Sequence, residues 1–283
     1  MQGLKELEIG VMFWGGRDPV ETLREVKALG VRCGQIGIPG DMDLGEKARG
    51  AWKAALAAEQ FTLVTVFAAF HGESYDDIPA VQQTVGFIPR STRTEREKRT
   101  LECSDFAAAV GAPSIATHIG FVPEDSSDPD YVAVREMVRR VCDHAAARNQ
   151  TFALETGQEP AQTLLHFFKD TGRANLRINF DPANMILYGT GDPIDALGVL
   201  AAHVVSVHCK DGDWPPKGSP TALGTEKPLG QGAVGMERFI DKLKQIGYRN
   251  PLNIEREGVP DHQQKLRDIK MGVGLLQKLL ASA

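Results

Sequence analysis

The chain has 283 residues, 42% of them hydrophobic and 24% charged, with a formal net charge of -5. Such a composition belongs to a globular protein able to bury a sizeable core, and the acidic balance argues against a nucleic-acid surface, which shows as a basic patch. No run nears the roughly 20 apolar residues of a membrane span, "MQGLKELEIG" lacks the apolar core of a signal peptide, and four scattered cysteines without C-x-x-C spacing read as reduced thiols of a cytoplasmic protein.

Apolar strand-like runs alternate with amphipathic helical stretches along the whole chain. "LEIGVMFW" (7–14) precedes "DPVETLREVKALG", where Asp18 is placed to cap a helix and Pro19 to sit in its first turn. "VRCGQIGIP" (31–39) precedes "GEKARGAWKAALAAEQ", and "FTLVTVFAAF" (61–70) precedes a loop and "TEREKRTLECSDFAAAVG". The basic run "RSTRTEREKR" (90–99), interrupted by Glu95 and Glu97, reads as a solvated helix face. "SIATHIGF" (114–121) precedes "DPDYVAVREMVRRVCDHAAARN". The pattern then repeats with strands at 151–157, 176–184, 204–212 and 251–257, the third followed by a long loop over 212–234. Eight strand–helix units without a linker predict one (β/α)8 barrel, a TIM barrel spanning residues 1–283.

In such a barrel the chemistry sits where the strands end. The last four strand ends carry Glu155, Asp181, His208 and Glu255, spaced by 26, 27 and 47 residues. The first two spacings are one strand–helix unit each, and the long loop accounts for the excess in the third. Three crowded carboxylates need a compensating cation, and three oxygen donors with one imidazole suit manganese, magnesium, cobalt or zinc. The alternative is that each residue separately caps a helix or pairs with a Lys or Arg. Matching spacing in all four favours the metal. Cys209, beside His208, points to the opposite face of its strand and reads as packing.

The segments "LETG" (154–157), "NFDPAN" (179–184), "VHCKDGD" (207–213) and "NIERE" (253–257), with "THIGFVP" (117–123) and "PLGQGAVG" (228–235), resemble the xylose-isomerase-like sugar isomerase/epimerase superfamily along the whole chain. The resemblance implies one divalent metal ion, manganese foremost, on Glu155, Asp181, His208 and Glu255. It implies a small sugar or keto-polyol substrate held by a carbonyl and the neighbouring hydroxyl. Glu155 and Glu255 would then face opposite sides of one carbon, one removing a proton and the other returning it through an enediolate. Asn184 matches a position that contacts substrate oxygens in relatives, its other reading being a turn-stabilising Asn. Lys210, on the face of His208, would bind a carboxylate, phosphate or enolate oxygen unless it pairs with Asp211 or Asp213.

His118, His71 and Trp14 stand at strand ends as further substrate-binding candidates, with Phe70 as a second pocket wall, His203 as a structural histidine and Trp214 as part of a loop that closes as a lid. Two positions depart from the ketose 3-epimerases of this superfamily: Ala161 stands where they carry a second glutamate, with Glu159 nearby, and Lys210 stands where they tend to carry arginine beyond the histidine. "GQGAVG" (230–235) matches a dinucleotide fingerprint, but "TEKPL" before it contains Pro228 and reads as no buried strand. The segment is therefore expected as a loop into a helix, its N–H groups open to a phosphate. The competing functions are a metal-dependent dehydratase on a keto-inositol or keto-sugar, an apurinic-site endonuclease-like nuclease and a non-catalytic sugar-binding protein. Neither a nucleic acid nor a membrane is expected as partner, and a homo-oligomer is compatible with the sequence.

Overall fold

The computed structural model describes residues 4–281; residues 1–3 of "MQGLKELEIG" and 282–283, which the single-domain expectation includes, lie outside the described residues. The strands are β1 (Ile9–Trp14), β2 (Cys33–Ile38), β3 (Thr62–Ala68), β4 (Ser114–Thr117), β5 (Thr151–Glu155), β6 (Leu176–Phe180), β7 (Val204–Cys209), β8 (Asp211–Asp213), β9 (Thr225–Lys227) and β10 (Leu252–Ile254). Eight of them close a barrel in the order β1-β10-β7-β6-β5-β4-β3-β2, with every neighbouring pair parallel. Each runs within the segment that the sequence pattern marks as a strand.

The strands are apolar on both sides because both sides are covered. All six residues of β2 are buried. The outward sides meet helices through Leu23, Trp52, Phe106, Phe167 and Phe239, while Met12, Phe67, Ala116 and Ala153 form a separate small cluster. Gly34 of β2 is obligatory: a Cβ there would collide with the carbonyl oxygen of Val11 on β1. Asp18, Asp128 and Asp192 each accept first-turn N–H groups of helices Pro19–Lys27, Pro129–Ala146 and Pro193–Leu200, whose first residue is proline, as the sequence indicates for Asp18 and Pro19.

Two expectations change. The basic run 90–99 is not simply a solvated face. From helix Arg93–Val110, Arg93 donates to the carbonyls of Phe87 and Ile88, Arg96 to that of Gly86, and Arg99 to those of Pro39 and Met42. These guanidinium groups satisfy loop carbonyls that have no ladder partner, so they fold inward, and Arg96 is only 4% exposed. It also lies over the Phe70 ring, 5.4 Å from its centroid.

The second change concerns "GQGAVG". "TEKPL" holds no buried strand, as expected: residues 225–227 form the partly exposed β9, which pairs antiparallel with β8 in a separate two-stranded hairpin. The glycine-rich N–H groups are not open to a phosphate. The Asp211 carboxylate accepts from Gly212 N, Gly230 N, Gly232 N and Val234 N at 2.9–3.1 Å, so the loop encloses an anion from its own chain. The hairpin is further pinned by Gly224 N donating to Leu187 O at 2.8 Å, and Ile78 N donates to Thr221 O at 3.0 Å.

Candidate metal centre

Glu155 is the last residue of β5, Asp181 follows β6, His208 is the fifth residue of β7 and Glu255 follows β10. These strands are consecutive around the barrel. The four side chains converge as the spacing predicts: one ligand atom from each lies within 4.8 Å of the others. His208 Nδ1 is 2.7 Å from Glu255 Oε2, 3.1 Å from Glu155 Oε1 and 3.6 Å from Asp181 Oδ2.

Asp181 serves two purposes. Its Oδ1 accepts Asn184 N at 2.9 Å and caps helix Pro182–Tyr188, while its Oδ2 is buried without a hydrogen-bond partner. Glu255 Oε2 is in the same state; His208 Nδ1 approaches it closely but without hydrogen-bond alignment. Two orphaned carboxylate oxygens in a buried cluster are costly unless a cation meets them. The donor set therefore fits a divalent ion. Electrostatics agree: burial pushes Asp181 up to about 6 against the pull of Lys210. Burial disfavours a charged His208, yet Glu255, Glu155 and Asp181 outweigh it and hold the imidazole well above its ordinary value. The cluster draws positive charge to one point.

The far side of His208 is braced by residues that the motif reading missed. Its Nε2 lies 3.1 Å from Gln35 Oε1 and 3.1 Å from Asn179 Nδ2. Gln35 Nε2 and Ser206 Oγ both donate to Asn179 Oδ1, at 3.0 and 2.5 Å. Were Nδ1 to ligate an ion, Nε2 would carry the proton and donate to Gln35 Oε1, and Asn179 would act by holding Gln35 through its Oδ1. A signal for them exists in the sequence. Gln35 is the polar residue in an otherwise apolar buried strand, and Asn179 stands two residues before Asp181.

Above the quartet opens a cavity of about 410 Å3. Lys210, 7% exposed, lies in its wall and does not pair with Asp211 or Asp213: its Nζ donates to Asn184 Oδ1 at 3.2 Å and sits 3.4 Å from Glu255 Oε2 and 3.7 Å from Asp181 Oδ2. Asn184 Nδ2 donates to Glu155 Oε1 at 3.0 Å, and His118 Nε2 lies 3.6 Å from Glu155 Oε2. Both residues line the cavity, as does Trp14. His71 does not: it is exposed and opens on a separate cleft with Arg96 and Arg99. The chain turns outward after Phe70, which packs on Phe87 rather than walling the mouth. Trp214 is 45% exposed and lies outside the cavity, whereas Leu223, Gly224 and Glu226 of the same loop form part of its wall. His203 packs edge-on against Phe168. Glu159 is buried away from the cavity, accepting Val122 N at 3.0 Å.

A closed parallel barrel whose mouth gathers three carboxylates and an imidazole defines a (β/α)8 protein with a candidate divalent-metal centre. The chain belongs to the xylose isomerase-like TIM barrel family, whose model matches residues 23–279. A xylose isomerase domain protein from Planctomyces limnophilus is 43% identical, covers 97% of each chain and superimposes with a TM-score of 0.92. A xylose isomerase-like TIM barrel protein from Mycobacterium smegmatis, solved in complex with magnesium, is 16% identical over 97% of this chain and 98% of that one, with a TM-score of 0.71. An uncharacterized protein from Methanocaldococcus jannaschii is 23% identical over 61% of this chain, and the match spans 62% of that relative's length. Structures of the same fold include a D-psicose 3-epimerase with D-tagatose and a probable 3-DHS dehydratase, at 16% and 15% identity, where the likeness is one of fold.

Proposed function

We propose that the protein is a divalent-metal-dependent isomerase or epimerase of a small sugar or keto-polyol, acting by proton transfer on the carbon next to a carbonyl. The observation that carries this reading is the pair Glu155 and Glu255, which approach His208 Nδ1 at 3.1 and 2.7 Å from two different strands. A bound divalent ion, with manganese the first to try, supplies Lewis-acid polarisation of the carbonyl. Glu155 Oε1 accepts Asn184 Nδ2 and faces the His208 side of the quartet, so Oε2, on the His118 side, is the oxygen left to take a proton. Glu255 serves the opposite face, with the Lys210 ammonium beside it to stabilise charge that develops on a substrate oxygen. The sugar epimerases among the structural neighbours support a small sugar as substrate. Four buried, unpaired cysteines support a cytoplasmic site of action.

A dehydratase is the second reading, favoured by His118, which lines the cavity 3.6 Å from Glu155 Oε2 and so stands where a hydroxyl leaving the neighbouring carbon would depart. NMR in heavy water, with manganese-loaded protein and a panel of ketoses, keto-inositols and 3-keto-glycosides, separates the two. Deuterium incorporation with inversion marks the epimerase, loss of a hydroxyl marks the dehydratase, and an unchanged panel overturns both.

A further inference from the structure

We propose that the outer half of the mouth cavity is a second-ring subsite: Trp14, braced by Glu257, takes an uncharged sugar ring joined to the keto-sugar at the quartet, and the acidic rim turns away phosphate esters. This rests on the sugar reading above and narrows it to glycosides. The cavity extends from Glu155 and Glu255 to Trp14, Glu226 and Glu257, and its volume of about 410 Å3 lies in the range, roughly 300–1,000 Å3, of pockets that enclose a drug-sized ligand.

Trp14 is a built platform. Its Nε1 donates to both carboxylate oxygens of Glu257 at 3.1 Å, and Lys265 Nζ holds the same carboxylate at 3.0 Å. The ring lies on Gly37, where a Cβ would come within 2.7 Å of Trp14 Cε3. Its one polar atom is thus satisfied and one side is seated, yet the residue remains 37% exposed at the cavity edge. An amphipathic ring held this way presents an apolar face to the C–H face of a sugar. Carboxylates for the hydroxyls stand beside it. Glu226 is fixed by Arg256 Nη1 at 2.8 Å and by the N–H groups of Glu257 and Gly258, and retains lone pairs for further donors.

The same rim lacks what a phosphate needs. Among the described residues lining the cavity, Lys210 is the one Lys or Arg, and it is engaged with Glu255, Asp181 and Asn184 deep in the site. A phosphate ester, carrying about -1.5 to -2 charge at pH 7, would face Glu73, Glu226 and Glu257 with no free guanidinium or ammonium.

Fructose, fructose 6-phosphate and isomaltulose test this, because they share a ketose end and differ only in what is attached at O6: nothing, a phosphate or a glucosyl ring. Binding is read by calorimetry on manganese-loaded protein, and exchange of carbon-bound hydrogen by NMR in heavy water. Isomaltulose is expected to bind about tenfold tighter than fructose, and fructose 6-phosphate about tenfold weaker; Trp14→Ala removes most of the isomaltulose advantage. A phosphate ester that binds as well as fructose, an isomaltulose that binds no tighter, or no binding of any of the three overturns the subsite. The expected ranking without any hydrogen exchange leaves the subsite standing and removes the proton-transfer reading; exchange with the ranking reversed does the opposite.

Discussion

Gln35 Oε1 lies 3.1 Å from His208 Nε2, joining β2 to β7 across the interior of the barrel. The bond holds the imidazole with Nδ1 turned toward Glu155, Asp181 and Glu255. Gln35→Met keeps the side-chain length and removes the acceptor. Removing such a partner of a ligating histidine typically costs about 10–100-fold in metal affinity. Calorimetric titration with manganese should show that loss; unchanged affinity would remove Gln35 as the group that orients the ring.

The two oxygens of Asp181 can be separated. Asp181→Asn retains an oxygen for the Asn184 N–H and so keeps the cap, but it removes the charge from the quartet. Folding should survive with little change in melting temperature, while elemental analysis after metal loading falls from about one ion per chain to a small fraction. Asp181→Ala loses the cap as well, at about 1 kcal/mol. Full occupancy in both variants would sink the quartet as a metal centre.

If Glu155 and Glu255 move the proton, Gln at either position should leave a folded protein with weakened metal binding and a rate lower by about 10²–10⁴-fold. The two variants should differ in kind. One loses exchange of the substrate hydrogen with heavy water; the other retains exchange and fails to invert the carbon. Near-native turnover in both would redirect the search to His118 and Lys210.

Glu159 gives a pH dependence unrelated to the quartet. Burial pushes its carboxyl up to about 7, against the pull of the Val122 N–H, from an ordinary value of 4.5. Its folded-state value is thus raised, and the unfolded chain releases the proton first as pH climbs. Stability is full below about 4.5 and declines until about 7, by on the order of 3 kcal/mol. Glu159→Gln cannot ionise and should raise the urea midpoint at pH 8 more than at pH 5. Equal effects at both values would remove Glu159 as the source.

The barrel and the quartet were legible because both rest on spacing. Apolar runs at regular intervals dictate the strands, and Glu155, Asp181, His208 and Glu255 stand at or just beyond the C-terminal ends of four of them. What escaped depends on how side chains turn after the strand ends. His71 follows Phe70 outward, and Arg96 folds in because loop carbonyls require it. Asp211 claims the N–H groups of a loop whose glycine pattern resembles a cofactor motif. Glu257, two residues beyond Glu255 and reaching the same cavity, was readable from strand alternation and went unread.

The brace on His208 also bears on how the barrel divides. All four quartet residues belong to the later strands β5, β6, β7 and β10, whereas Gln35 comes from β2. A fragment beginning before β5 would carry every donor atom and lack the group that fixes the imidazole tautomer. If the quartet holds an ion, its affinity would depend on circular closure, and two co-expressed halves should recover it only when β2 docks beside its neighbours again.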